Sequence, residues 1–401
     1  MNRSLRILFA VQGDGRGHMT QALALAPLLR RAGHRVLGAL VGVGPRQRPP
    51  ALFREALGAP VTPLAAPTFV AGENGRVRLL ATGLHAVGAW RETSASLDAM
   101  SAILDRHEPD VVVSFFDGLT AFHGLWRSPE APVVAVGHQF MFEHPAYPFA
   151  PGQPFQRAAM RAYARFVGTA AAARLALSFY DAPEAPAGTA VIGPLLRPQV
   201  MRLDASGDDG SLLVYLMDPA MAGDLAAWSD RHPAVPIHCF SAARPHRQSR
   251  ALAFHALDGE AFLAHMARAR GVVCTAGFES VSEAMWMGKP VCMVPTPGHY
   301  EQRCNARDAL ALGVGVAAPT LARGLDAFVE YLPTHHADPE PFREWVRRSG
   351  PRAVAAIERA AGLPPLPQSS GDGDGRTAVP TLRPLASEAQ KWKRDPTVTS
   401  R

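Results

Sequence analysis

Between positions 270 and 306 the chain reads RGVVCTAGFESVSEAMWMGKPVCMVPTPGHYEQRCNA, an order of residues that few folds accommodate. The apolar run at 271–275 has the length and β-branched content of a buried strand, and Ala276-Gly277 supplies a tight turn after it. The pattern predicts a helix over 278–287, a break at Gly288 and Pro290, a second buried strand over 291–294, and a loop leading into another helix. Strand, helix and strand in this alternation build a parallel α/β sheet, whose ligands sit beyond the carboxyl ends of the strands.

The turn at Gly277 aims the free N–H groups of Phe278, Glu279 and Ser280 above the sheet, and a helix N-terminus of this kind suits a phosphate. Helical spacing puts Val281, Ala284, Met285 and Gly288 on one face and Glu279 and Glu283, four apart, on the other. Like charges at that spacing cost a few tenths of a kcal/mol, which invites a use for at least one of them. The bland reading is that Glu279 complements the helix dipole and Glu283 is solvated. Glu301, Gln302 and Asn305 follow on the next helix and bring three polar groups to the same rim, which suits a ligand rich in hydroxyls.

The amino-terminal part starts the same way. An apolar strand over 5–11, the glycine loop GDGRGH at 13–18, a helix over 19–32 interrupted by Pro27 and a strand over 34–41 form a β-loop-α-β unit. The loop spacing G-x-G-x-G departs from the dinucleotide fingerprint and no acidic residue closes the second strand, which argues against NAD. His18, at the helix start, is either a capping or solvated histidine or a group available for chemistry. Asp117 lies just past the buried strand 110–115, where it serves chemistry or caps the turn, two readings of equal weight from sequence. His138 follows the strand 132–136; a structural role is the stronger reading and contact with an acceptor the lesser. Further strands are read at 174–179, 190–193, 212–216 and 237–241, and helices at 155–167, 263–270 and 342–361. The turn 255–259 is placed by position beside a nucleotide base.

With 401 residues the chain fits two domains. The division falls at 1–193, a linker at 194–210 rich in Pro, Gly and Asp, a second domain at 211–338, a helical segment at 339–362, and a tail at 363–401 without apolar periodicity, expected to be disordered. Asp372 and Asp374 imitate a D-x-D metal motif, but the surrounding Ser, Pro and Gly favour a linker, so no metal site is assigned. The net charge of +6 comes from arginines scattered along the chain, with lysine only at 289, 391 and 393, a distribution that speaks against nucleic acid. Four cysteines lack C-x-x-C pairing, and neither a signal peptide nor a run long enough to span a membrane is read; the expectation is a cytoplasmic protein whose only membrane contact is peripheral, at the inner face.

The order G-x-E-S-x-S-E-A-x-x-x-G-K-P-x-x-x-x-P followed by EQ-x-x-NA closely resembles the donor-binding segment of GT-B glycosyltransferases, especially the lipid-linked N-acetylglucosaminyltransferases of peptidoglycan synthesis. The resemblance implies two Rossmann-like parallel-sheet domains facing an interdomain cleft, the first holding an acceptor, the second a nucleotide sugar, and a last helix crossing back onto the first. It implies that Gly277 and the N–H groups after it face a diphosphate, that Glu283 accepts ribose hydroxyls, and that Glu301 and Gln302, with Asn305 beside them, hold the donor sugar. The first glycine loop is similar to the acceptor-side loop of the same enzymes, with Gly17 reaching the donor and His18 the catalytic base, oriented by Asp117. Glu279 departs from the pattern, since those relatives carry an apolar or small residue there. The expected reaction is inverting, metal-independent transfer from a UDP-linked sugar, substrate rather than cofactor, to a lipid, glycolipid or small-molecule acceptor. A nucleotide-sugar 2-epimerase and a catalytically silent sugar-nucleotide-binding subunit are the alternatives.

Overall fold

The computed structural model describes residues 3–44, 47–66, 90–127, 130–216, 221–241, 250–336 and 338–364. The readings made for Asp372 and Asp374, and that of the tail beyond residue 364, lie outside the described residues. Strands β1 (Arg6–Gln12), β2 (Arg35–Val43), β3 (Val61–Ala65), β4 (Val111–Phe115), β5 (Val133–Gly137), β6 (Ala173–Leu177) and β7 (Thr189–Ile192) make one sheet in the order β3-β2-β1-β4-β5-β6-β7. A second sheet contains β8 (Leu212–Leu216), β9 (Ile237–Ser241), β10 (Leu252–His255), β11 (Gly271–Cys274), β12 (Val291–Met293) and β13 (Gly315–Ala317) in the order β10-β9-β8-β11-β12-β13. Every neighbouring pair is parallel.

Helices α1 (Gly17–Arg31), α2 (Ala51–Leu57), α3 (Trp90–His107), α4 (Gly118–Trp126), α5 (Pro154–Gly168) and α6 (Pro198–Arg202) accompany the first sheet or follow it. The second is accompanied by α7 (Met221–Arg231), α8 (Gly259–Arg268), α9 (Phe278–Trp286), α10 (Tyr300–Leu310) and α11 (Leu321–Tyr331), before α12 (Glu340–Ala360) closes the described chain. Parallel strands covered on both faces must be apolar throughout, and all of β4 (VVVSF) and β5 (VVAVG) is buried. Each large side chain so buried contributes about 1.5–3 kcal/mol. Helix α8 begins four residues ahead of the expected start because Asp258 caps it, Oδ1 accepting from the N–H groups of Glu260 at 2.8 Å and Ala261 at 3.0 Å. Among the described residues no helix is long and apolar enough to cross a membrane.

Helix α12 touches both halves. Arg343 Nε donates to the Trp286 carbonyl of α9 at 2.9 Å, while Trp345 Nε1 donates to the Ser178 carbonyl beside β6 at 3.0 Å. Further along, Glu358 meets His34 in a buried contact of 3.1 Å. Gly350 lets α12 lie close to α1, since a Cβ there would stand 3.1 Å from Leu28.

Two non-glycine residues at the carboxyl ends of central strands are left-handed: Phe116 after β4, with φ of 52°, and Ala276 after β11, with φ of 59°. Such conformations cost on the order of 1–3 kcal/mol and are held only where the surroundings enforce them. Gly13, after β1, is required by closeness: its N–H donates to the Gly42 carbonyl at 2.7 Å, and a Cβ would stand 2.4 Å from that oxygen.

A candidate active site between the two sheets

Residues from both halves line one cavity of about 1310 Å³, which runs from the loop after β1 to the starts of α9 and α10. On the second-sheet side, α9 starts at Gly277 with no side-chain cap, and a Cβ on that glycine would meet nothing within 4 Å. Its first N–H groups therefore open onto the cavity wall formed by Gly277, Phe278, Glu279 and Ser280. The strained turn ahead of it is held from outside, with Asn305 Nδ2 donating to the Ala276 carbonyl at 3.1 Å.

Glu283 is 3% exposed, so it is not the solvated residue of the bland reading. Arg197, from the stretch read as linker, donates to its Oε1 through Nε at 3.2 Å and Nη2 at 2.6 Å. Burial pushes the Glu283 carboxyl up and the arginine opposes it. Glu279 reaches across to α1, its Oε1 accepting from Gln21 Nε2 at 2.8 Å. Burial pushes Glu279 up to about 8, with the Gln21 bond opposing. Glu301 accepts from Gln139 Nε2 at 3.1 Å, again across the two halves. Gln302 Oε1 accepts from the Thr296 N–H at 2.8 Å, and His299 caps α10 by accepting from the Gln302 N–H at 3.4 Å.

His18 is buried at the start of α1, its ring stacked on Phe116 at 5.8 Å and 16°. Burial lowers it to about 4, with Gln21 opposing, rather than leaving it at the 6.5 of an exposed histidine. Asp117 takes the capping role. Its Oδ2 accepts from Thr120 N at 2.8 Å and from Thr120 Oγ1 at 2.7 Å, and it is not among the residues lining the cavity. The expected orientation of His18 by Asp117 has no counterpart in these contacts; the carboxylate is held by the first turn of α4 instead. His138 lines the cavity with its ring held on several sides: Nδ1 donates to the Leu177 carbonyl at 2.8 Å, Nε2 lies 3.2 Å from Asn305 Oδ1, and Phe278 stacks on the ring at 4.0 Å. Asn305 lines the cavity, and its amide is anchored to the strained turn by the bond from Nδ2 to the Ala276 carbonyl.

Five residues that line this cavity each carry a buried polar atom with no hydrogen-bond partner: Gln12 Oε1, His18 Nδ1, Gln21 Oε1, Gln139 Oε1 and Glu279 Oε2. Buried polar atoms are paired almost everywhere, and an unpaired one costs about 1–3 kcal/mol. These residues come from both halves and border the same cavity. Beside further polar residues such as Asp14, Arg16 and Thr20, two stretches of the lining are apolar. Phe116, Phe142, Met160, Tyr163 and Phe166 line the first-sheet side, with Phe155 83% exposed at the mouth. Tyr215, Phe240, Leu257 and Phe262 line the far end beside β8 to β10.

Sequence reasoning missed Arg197 and Gln21. Gln21 stands three residues after His18, on the same helical face, a spacing that could have drawn notice. Nothing near Arg197 announces a partner 86 positions away.

The model of the family described as glycosyl transferase family 1 matches residues 5–333. A UDP-N-acetylglucosamine--N-acetylmuramyl-(pentapeptide) pyrophosphoryl-undecaprenol N-acetylglucosamine transferase of a Nocardioides species is 28% identical over 295 residues, covering 67% of this chain and 74% of that protein. The solved glycotransferase of kitacinnamycin superposes with a TM-score of 0.62 at 17% identity, covering 91% of this chain and all of the other. MurG of Acinetobacter baumannii gives a TM-score of 0.55 at 16% identity over 89% of this chain and all of the other. The two-sheet architecture is that of these GT-B proteins.

Proposed function

The chain belongs to glycosyl transferase family 1, and from that premise we infer that this glycosyltransferase moves a sugar from a UDP-linked donor to a hydroxyl of a lipid, glycolipid or small-molecule acceptor. The observation that carries the reading is the uncapped start of α9 opening into a cavity where unpaired polar atoms from both halves converge. A diphosphate seated there would receive N–H groups and the positive end of the helix dipole, which together stabilise the negative charge of a leaving nucleoside diphosphate. Ribose hydroxyls would meet Glu283, whose Oε2 takes part in neither bond to Arg197. The base would lie against Tyr215, Phe240 and Phe262.

His18 is the residue of this chain suited to take the acceptor proton. It is neutral at cytosolic pH, lines the cavity and offers a nitrogen with no partner. The acceptor oxygen attacks the anomeric carbon as the bond from that carbon to the diphosphate oxygen breaks; the proton goes to His18 and the electron pair leaves with the diphosphate. Attack from the face opposite the leaving group inverts the centre. In this reading the helix N-terminus carries the leaving-group charge without a metal. Burial, which pushes the Glu279 carboxyl up, favours the protonated form that fits beside a diphosphate, since an ionised carboxylate would repel it.

The relative from Nocardioides, named for transfer to a lipid-linked muropeptide, and the apolar lining from Phe116 to Phe166 both favour an acceptor with a substantial apolar part. That lining also favours transfer over 2-epimerisation, which has no use for an acceptor wall. Incubation with UDP-N-acetylglucosamine and polyprenyl or aromatic acceptors tests the reading: a glycosylated product in step with released UDP supports it. A 2-epimer formed from donor alone supports the epimerase.

A further inference from the structure

Outside the cavity, His238 on β9, His255 on β10 and His265 on α8 bring one ring nitrogen each to within 4.8 Å of the others. Strand register explains the first two. In the parallel β9/β10 pair His238 faces Ala253 and His255 faces Phe240, so the histidines stand two positions apart on one face of the sheet. Helix α8 covers that face and lowers His265 onto them, with ring centroids 4.2 Å from His238 and 4.8 Å from His255. His238 Nδ1 and His255 Nε2 already lie 3.0 Å apart. None of the three lines the cavity, and all are partly exposed at the edge strand of the sheet, which leaves an entry path from solvent.

We propose that His238, His255 and His265 form a binding site for a divalent transition metal, zinc by preference, separate from the sugar-transfer site. Three imidazoles suit zinc, copper and nickel, and three protein nitrogens with a fourth position open is an established zinc arrangement. Zn–N bonds of about 2.0–2.1 Å at tetrahedral angles require nitrogens about 3.3 Å apart. One pair is already within that distance, and the widest must close by about 1.5 Å, a side-chain rotation. Asp209 stands outside the cluster, its Oδ1 accepting from Ser211 N and Oγ, but its N–H donates to the Arg268 carbonyl at the end of α8 at 2.9 Å and its negative charge acts on His238 and His265. A metal here ties the edge strand β10 to β9 and α8. It also steadies Phe240, which stacks on His255 at 4.9 Å and lines the cavity.

The test uses the full chain without a histidine tag, stripped of metal by chelator and dialysed. Cobalt titration is expected to saturate at one equivalent with the intense visible d–d bands of a four-coordinate site, zinc to displace it, and H265A and H238N each to weaken cobalt binding at least about tenfold. Absorption spectra at the zinc edge of the unmodified protein are expected to give three imidazole nitrogens at about 2.0–2.1 Å, a reading that needs no variant to fold. The proposal is overturned if no band saturates at one equivalent, if both variants bind as the unmodified chain does, or if the zinc shell holds fewer than three imidazoles, which would leave an adventitious ion only.

Discussion

Replacing Glu279 by glutamine should stabilise this protein, and by an amount that depends on pH. In the folded chain burial pushes the carboxyl from its ordinary 4.5 to about 8. Because the folded value lies above the unfolded one, the stability tied to this proton is fully present below about pH 4.5 and is lost as pH rises through about 8. At about 1.4 kcal/mol per pH unit the interval sets a ceiling of about 4–5 kcal/mol above pH 8. Glu279 is partly exposed as a residue and borders a water-accessible cavity, so screening reduces this and about 2 kcal/mol is the expected gain. Glutamine has the same shape, carries no charge and can still accept from Gln21 with its carbonyl. Urea unfolding at pH 5, 7 and 9 measures the effect. The advantage of E279Q should be small at pH 5 and grow to its full size at pH 9. A difference that stays flat with pH, or a variant less stable than the parent at pH 9, would refute the buried-carboxyl reasoning.

Other outcomes follow from the same geometry. H18A should lose about 10²–10⁴ in turnover with little change in donor affinity, and the unmodified enzyme should hold its activity down to about pH 5, since burial keeps His18 near 4; an acid limb near pH 6 would contradict that burial. E283Q should weaken binding of a nucleoside diphosphate by about 1–3 kcal/mol in calorimetry, and R197A combined with it should give less than the sum of the two single losses, because one ion pair is removed in each. Transfer should survive EDTA when assayed well below the melting temperature, where metal lost from the His238 cluster does not unfold the chain; loss restored by Mg²⁺ or Mn²⁺ would count against a metal-free leaving-group site.

The second half was legible because its information is local. Apolar strands of fixed length, a glycine turn and a helix of known period placed Glu279 and Glu283 on one face without any knowledge of the rest of the chain. What lay on the far side of that face was not legible. Gln21, Arg197 and Gln139 meet Glu279, Glu283 and Glu301 across 258, 86 and 162 positions, and no periodicity encodes such pairings. Asp117 shows a different limit. A carboxylate past a strand end serves catalysis or capping with the same sequence around it, and here Thr120, three residues on, supplies both hydrogen-bond donors. The three-histidine cluster was invisible for a related reason: His238 and His255 become neighbours only through the register of β9 and β10, and β10 is too short to be read with its partner.

The central claim is that a nucleoside diphosphate binds with its phosphates on the start of α9, and calorimetry compares its parts directly. UDP, TDP and GDP should be titrated against the chain beside the matching nucleosides, in parent and E283Q protein. At least one diphosphate, UDP by preference, is expected to bind, with its nucleoside at least about tenfold weaker because the contacts to α9 are missing, and E283Q lowering the affinity of both. If no diphosphate binds, or if nucleoside and diphosphate bind equally well, the phosphates do not sit on α9 and the account of the site fails.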